Sequence, residues 1–124
     1  ATFTDGADFV GATFTGNAHF VGATFTDGAD FVGATFTGNA YFGGATFADG
    51  AYFGGATFTR GAYADFGGAE FRASAAFSGI QGQPSFRFET CKFNRKFRWT
   101  NAYEWGPIPT SNDGLPAGAV WEDF

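Results

Sequence analysis

Residues 1–22, ATFTDGADFVGATFTGNAHFVG, return as residues 23–44, ATFTDGADFVGATFTGNAYFGG. The two blocks differ only at His19/Tyr41 and Val21/Gly43, so 20 of 22 positions agree. Within them phenylalanine recurs in alternate steps of six and five residues: Phe3, Phe9, Phe14, Phe20, Phe25, Phe31, Phe36, Phe42, and on to Phe47, Phe53 and Phe58. An alanine stands two residues before each, from Ala1 to Ala56. Neither step suits a helix. Residues i−2 and i of an extended segment point the same way, and their neighbours point the other way. Each unit therefore reads as a short strand with Ala and Phe turned inward, followed by a corner rich in Gly, Asp and Asn. A unit this short can bury its apolar face only against other copies.

Following the comb along the chain, the step from Phe58 to Phe66 is eight, which reads as a two-residue insertion near Ala62–Tyr63. The rhythm resumes at Phe66, Phe71, Phe77, position 82, Phe88, Phe93 and Trp99. Gly82 alone breaks the aromatic rule, with Ile80 before it to refill part of the volume. Winding 22 residues per coil, four edges each, predicts an all-β, four-sided parallel β-helix of about five coils. Its inward ladders would be Phe3/25/47/71/93, Phe9/31/53/77 with Trp99, Phe14/36/58 with Gly82, and Phe20/42/66/88, with rungs about 4.8 Å apart. The repeat is assigned to residues 1–105. Residues 106–124 leave it and read as a C-terminal cap that lays Trp121 and Phe124 over the last coil.

The motif resembles the pentapeptide-repeat family, whose consensus is A-(D/N)-L-x-x. The matching segments are Ala7-Asp8-Phe9-Val10-Gly11, Ala29-Asp30-Phe31-Val32-Gly33 and Ala69-Glu70-Phe71-Arg72-Ala73. Phe replaces the consensus Leu, and alternate units carry a sixth residue. The resemblance spans residues 1–101 and implies a right-handed quadrilateral parallel β-helix with the central residue and the preceding small residue inside.

Composition narrows function. The 124 residues carry a net charge of −5, with 19 Phe, one Cys and no Met. No apolar run approaches the length of a membrane span. No leader segment is visible, which leans towards the cytoplasm, but the chain starts in mid-repeat and reads as part of a longer protein. One cysteine forms no internal disulfide, and Cys91 falls on an inward position. No nucleophile–base pair, phosphate loop or metal spacing is present, so no catalytic activity and no cofactor are expected.

Three surface patterns remain. Thr13/Thr15, Thr35/Thr37 and Thr57/Thr59 form a grid on one face, with Thr2/Thr4, Thr24/Thr26 and Thr46 on the opposite face. The grid resembles the flat arrays of β-helical antifreeze proteins, although Thr also simply suits exposed strand positions. Asp5, Asp27 and Asp49 stack at one corner, and Asp8 and Asp30 on the next face. The family resemblance implies one role for such columns, since some members present carboxylates in the DNA site of type II topoisomerases. The bland role is acceptance of backbone N–H bonds in turns. Third, Arg87, Lys92, Arg95, Lys96 and Arg98 make a basic belt interleaved with aromatics. Because the register turns Phe86, Phe88, Phe93, Phe97 and Trp99 inward, stacking platforms for nucleic acid are absent and the belt reads as a docking patch. Tyr63, on the insertion, is a further contact candidate. The expected function is a non-enzymatic structural or protein-interaction rod that stacks end to end or within a larger assembly, with topoisomerase inhibition the alternative and ice binding the third reading.

Overall fold

The computed structural model describes all residues, 1–124. Strands β1 (Thr2–Phe3), β2 (Ala7–Asp8), β3 (Thr13–Phe14) and β4 (Ala18–His19) make the first turn of a parallel β-solenoid. The second holds β5 (Thr24–Phe25), β6 (Ala29–Asp30), β7 (Thr35–Phe36) and β8 (Ala40–Tyr41). The third holds β9 (Thr46–Phe47), β10 (Ala51–Tyr52), β11 (Thr57–Phe58) and β12 (Tyr63–Asp65). The fourth keeps only β13 (Glu70–Phe71), β14 (Ala75–Ala76) and β15 (Ser85–Arg87), a single bridge from Thr57 to Gln81 standing where its third strand would be. Strands β16 (Lys92–Asn94) and β17 (Tyr103–Glu104) begin a fifth turn, and β18 (Val120–Glu122) returns from the C-terminal segment. There are thus four turns and a partial fifth, against the five expected.

Like strands pair in parallel to make four sheets, ordered β1-β5-β9-β13-β16-β18, β2-β6-β10-β14-β17, β3-β7-β11 and β4-β8-β12-β15. The pairing is in register with the comb: Phe3 opposite Phe25, Phe25 opposite Phe47, Phe47 opposite Phe71, Phe71 opposite Phe93. Stacked rings in this column lie 4.7–5.0 Å apart, close to the strand spacing, so each ring stacks because its backbone is hydrogen-bonded. Rings from the second and fourth sheets meet edge to face across the axis, as Phe31 and Phe42 do at 5.4 Å and 86°. That is a preferred geometry for aromatic quadrupoles. From the second turn on, the ladder phenylalanines are buried, whereas Phe3, Phe9, Phe14 and Phe20 of the first turn are half-buried.

The two step lengths correspond to two kinds of corner. At five-residue steps the chain closes a β-turn on itself: Ala12 N–H donates to Phe9 O, Ala34 N–H to Phe31 O, and Ala56 N–H to Phe53 O, at 3.0–3.1 Å. The third turn residue, Gly11 or Gly33, has φ near +68°, as a type II turn requires. Thr90 occupies that position in the fourth coil with φ +56°, a conformation that a β-branched residue adopts only under strain. At six-residue steps side chains close the corner. Asp27 Oδ1 accepts from Gly28 N–H, Asn17 Oδ1 from Asn39 N–H one coil on, and Thr37 Oγ1 donates to Phe14 O while accepting from Gly16 N–H.

The register departs from expectation in the last coils. Trp99 is outside, 72 % exposed, with φ +65°. Trp105 takes the expected place, stacked on Phe77 at 5.6 Å and 3°. The cause is local: Asn94 Oδ1 accepts from Lys96 N–H and caps a 3-10 turn over Arg95–Phe97, which consumes chain without advancing the ladder. Phe86, on the alanine column opposite Ala64, leans over Phe58 edge to face at 6.2 Å. It covers the ring that Gly82 leaves bare. Val120, Trp121 and Glu122 then pair with Lys92, Phe93 and Asn94, so part of the C-terminal segment adds a rung to the first sheet. Trp121 packs on the core, and its Nε1–H donates to Asp113 O, while Phe124 stays half-exposed beneath the Arg72 guanidinium.

Candidate interaction site

The three surface patterns differ in how far their groups are already engaged. The Thr grid is real in register, with Thr13, Thr35 and Thr57 adjacent along one sheet. In its second column the Thr37 hydroxyl is turned into the corner, and on the opposite face Thr26 donates to the carbonyls of Phe3 and Thr4 at 2.9 Å. Thr15 and Thr59 are exposed at the same level as Thr37.

The acidic columns are likewise tied to corners. Asp8 and Asp30 lie opposite each other, and each accepts from the N–H two residues on, Val10 and Val32, at 3.1 Å. Asp49 accepts from Gly50 N–H at 2.9 Å, as Asp27 does from Gly28. A shallow concavity joins Asp8, Asp27 and Asp30 beside Tyr52. The column of Asp8 and Asp30 continues as Tyr52 and Ala76 before reaching Glu104, so its charge is interrupted after two rungs.

The basic belt is not one patch. Arg87 pairs with Asp65 at 2.9 Å on the fourth sheet, and Lys92 lies on the first. Arg95 pairs with Asp123 at 3.0 Å, and Lys96 lies 5.8 Å from the Phe97 ring. Arg98 lies 4.6 Å from the exposed Trp99 ring and 5.9 Å from Trp121, with its Nε buried and unpartnered. The premise that no aromatic platform is exposed therefore fails at Trp99. Counting steps could not reveal this, because Trp99 and Trp105 both sit at multiples of six from Phe93. Tyr63 is 57 % exposed, but it lies in β12 opposite Ser85, not on a bulge. The extra residues form the turn at Arg60–Gly61, closed by Ala62 N–H on Thr59 O.

Two ionisable groups are held by the core. Burial pushes the Cys91 thiol well above its usual range, so it stays neutral. Burial also raises the Tyr103 phenol to about 12. The Tyr103 hydroxyl donates to Phe71 O at 3.0 Å and accepts from Asn94 N–H at 3.1 Å, joining the partial turn to the coil beneath.

A cavity of about 650 Å³ opens beneath the C-terminal segment, beside Gly82 and Phe86. No helix of the chain is long and apolar enough to cross a membrane.

No curated protein and no solved structure matches the chain. The family model for pentapeptide repeats (nine copies) matches residues 1–35, 20–63 and 31–81, which together span residues 1–81 of the 124. With the Phe-centred ladder and four-sided coil already described, this establishes that the chain belongs to the pentapeptide-repeat family.

Proposed function

We propose that this chain is a non-enzymatic structural and protein-interaction module, a rigid rod that engages partners through its sides. The observation that carries the reading is the continuous ladder of buried phenylalanines beneath four in-register sheets, a fixed frame that holds Tyr63 and Trp99 exposed. Solenoids of this kind present extended lateral surfaces to partners. Sedimentation velocity over a concentration series tests association of the chain with itself. A reversible equilibrium weakened by Tyr63→Ser is expected, and a strict monomer at high concentration would count heavily against self-association.

A second reading, occupancy of the DNA site of a type II topoisomerase, draws on the carboxylates of Asp5, Asp8, Asp27, Asp30 and Asp49 along neighbouring edges. It is the weaker reading, because most of these carboxylates serve backbone N–H groups and the acidic columns are short. Gyrase supercoiling that persists in excess protein would remove it.

A further inference from the structure

The fourth coil fails on its third side. Gly82 comes so close to Phe58 that a Cβ would lie 1.6 Å from the Phe58 carbonyl oxygen, and no ring projects inward there. The space this frees is roofed by the C-terminal segment and forms the 650 Å³ cavity, within the 300–1,000 Å³ typical of small-molecule sites. All four prolines of the chain, Pro84, Pro107, Pro109 and Pro116, line it, with Phe86 and Phe88. Proline walls have fixed φ and little freedom to lose, so a ligand entering meets a preformed site. The lining includes no Asp, Glu, Lys, Arg or His. A charged ligand would surrender hydration without gaining a counter-ion. The polar side chains of the lining are Gln83, Thr110 and Ser111, neutral groups that can accept from an N–H or O–H of the ligand. Gln83 is held at φ +54°, and strained non-glycine residues of this kind gather at ligand clamps.

We propose that this cavity is a binding site for a small, uncharged, planar aromatic molecule carrying a single polar donor. Phe86 and Phe88, nearly parallel at 5.8 Å and 14°, both line the cavity and give it an aromatic wall. The proline rings close on it from the cap.

Titration of the full chain with indole, followed by methyl and amide NMR, tests the proposal. Saturable shifts should centre on Ile80, Ile108 and Ala117, and indole-3-acetate and tryptamine should bind at least about tenfold more weakly. Ala117→Trp, which fills the mouth, should abolish the shifts while leaving the far-UV spectrum unchanged. Should that variant misfold, Thr110→Trp serves the same purpose. Non-saturating or scattered shifts, equal affinity for the charged analogues, or undiminished binding by a folded filled variant would overturn it. Ligand-free shifts at these residues that grow with protein concentration would assign the cavity to a second copy and overturn it equally.

Discussion

Truncating Phe31 to alanine tests whether the ring ladder holds the rod together. Phe31 is fully buried, stacked between Phe9 at 5.0 Å and Phe53 at 4.9 Å, and edge-on to Phe20 and Phe42 at 5.6 and 5.4 Å. Removing a buried Phe costs about 3–5 kcal/mol, transfer and cavity together. The backbones that carry the rings above and below are hydrogen-bonded into register, so those rings cannot collapse into the gap, which places the cost near the upper end. Phe9 stands one rung earlier in the same column, half-buried, with a stacked neighbour on one side only. Its truncation should cost about 1–2 kcal/mol, in proportion to the area it hides. Against a total of about 5–15 kcal/mol for a domain, the difference is easily measured. Urea melts followed by circular dichroism give both values by linear extrapolation. Phe31→Ala should also lower the m-value, because weakening the second coil lets the first detach separately, as nearest-neighbour coupling in a solenoid dictates. Equal losses at Phe9 and Phe31, or a loss at Phe31 below about 1 kcal/mol, would refute the ladder as the source of stability.

Three other outcomes follow from the last coils. Thr90→Gly should stabilise the chain by about 1 kcal/mol in the same urea assay, because it relieves a left-handed β-branched residue at a corner where Gly stands in the earlier coils. Stability should fall between about pH 10 and 12, since the Tyr103 phenol is raised in the folded chain: its contribution is complete below the unfolded value of 10.0 and disappears as pH passes the folded value of about 12. Tyr103→Phe should flatten that decline in pH-dependent urea melts, without levelling it because buried Cys91 acts in the same sense, and should cost about 1–3 kcal/mol at neutral pH by removing the hydroxyl's bonds to Phe71 O and Asn94 N–H. Acrylamide should quench Trp99 readily and Trp105 poorly, read from single Trp→Phe variants; the reverse order would restore Trp99 to the ladder.

The first three coils are legible because their repeats constrain one another. A slip at any Phe would put every later ring on the wrong side, so ten regular steps leave one solution. Legibility ends where copies diverge. From Phe93, the sixth residue on and the twelfth are both tryptophan, and counting selects Trp99. The deciding interaction is the Asn94 cap on Lys96, which turns the chain out of the strand before the sixth residue arrives. Likewise no period predicts that Trp121, twenty-eight residues beyond Phe93, becomes its partner on the first sheet. The cavity was equally hidden, although its signal was present: every proline falls after the comb first fails at Gly82.

The alternation of five and six residues bears on where function can lie. Five-residue corners are closed by the backbone, so their outer positions are free to vary, as Val10, Val32 and Gly54 show. Six-residue corners depend on side-chain donors and acceptors, so Asp, Asn and Thr recur there for structural reasons. The acidic and threonine columns are then largely a by-product of corner chemistry. The Thr column gives way to Gln81 where the Arg60–Gly61 turn lengthens the corner, whereas the step from Phe71 to Phe77 keeps six residues although Ala73 and Ser74 stand where Asp49 and Gly50 stood one coil earlier. A surface selected for partners or ligands is better sought where residues break this code without structural need. In this chain those breaks converge on the loop 80–84, the turn 95–99 and the segment 106–118, all at the covered end of the rod.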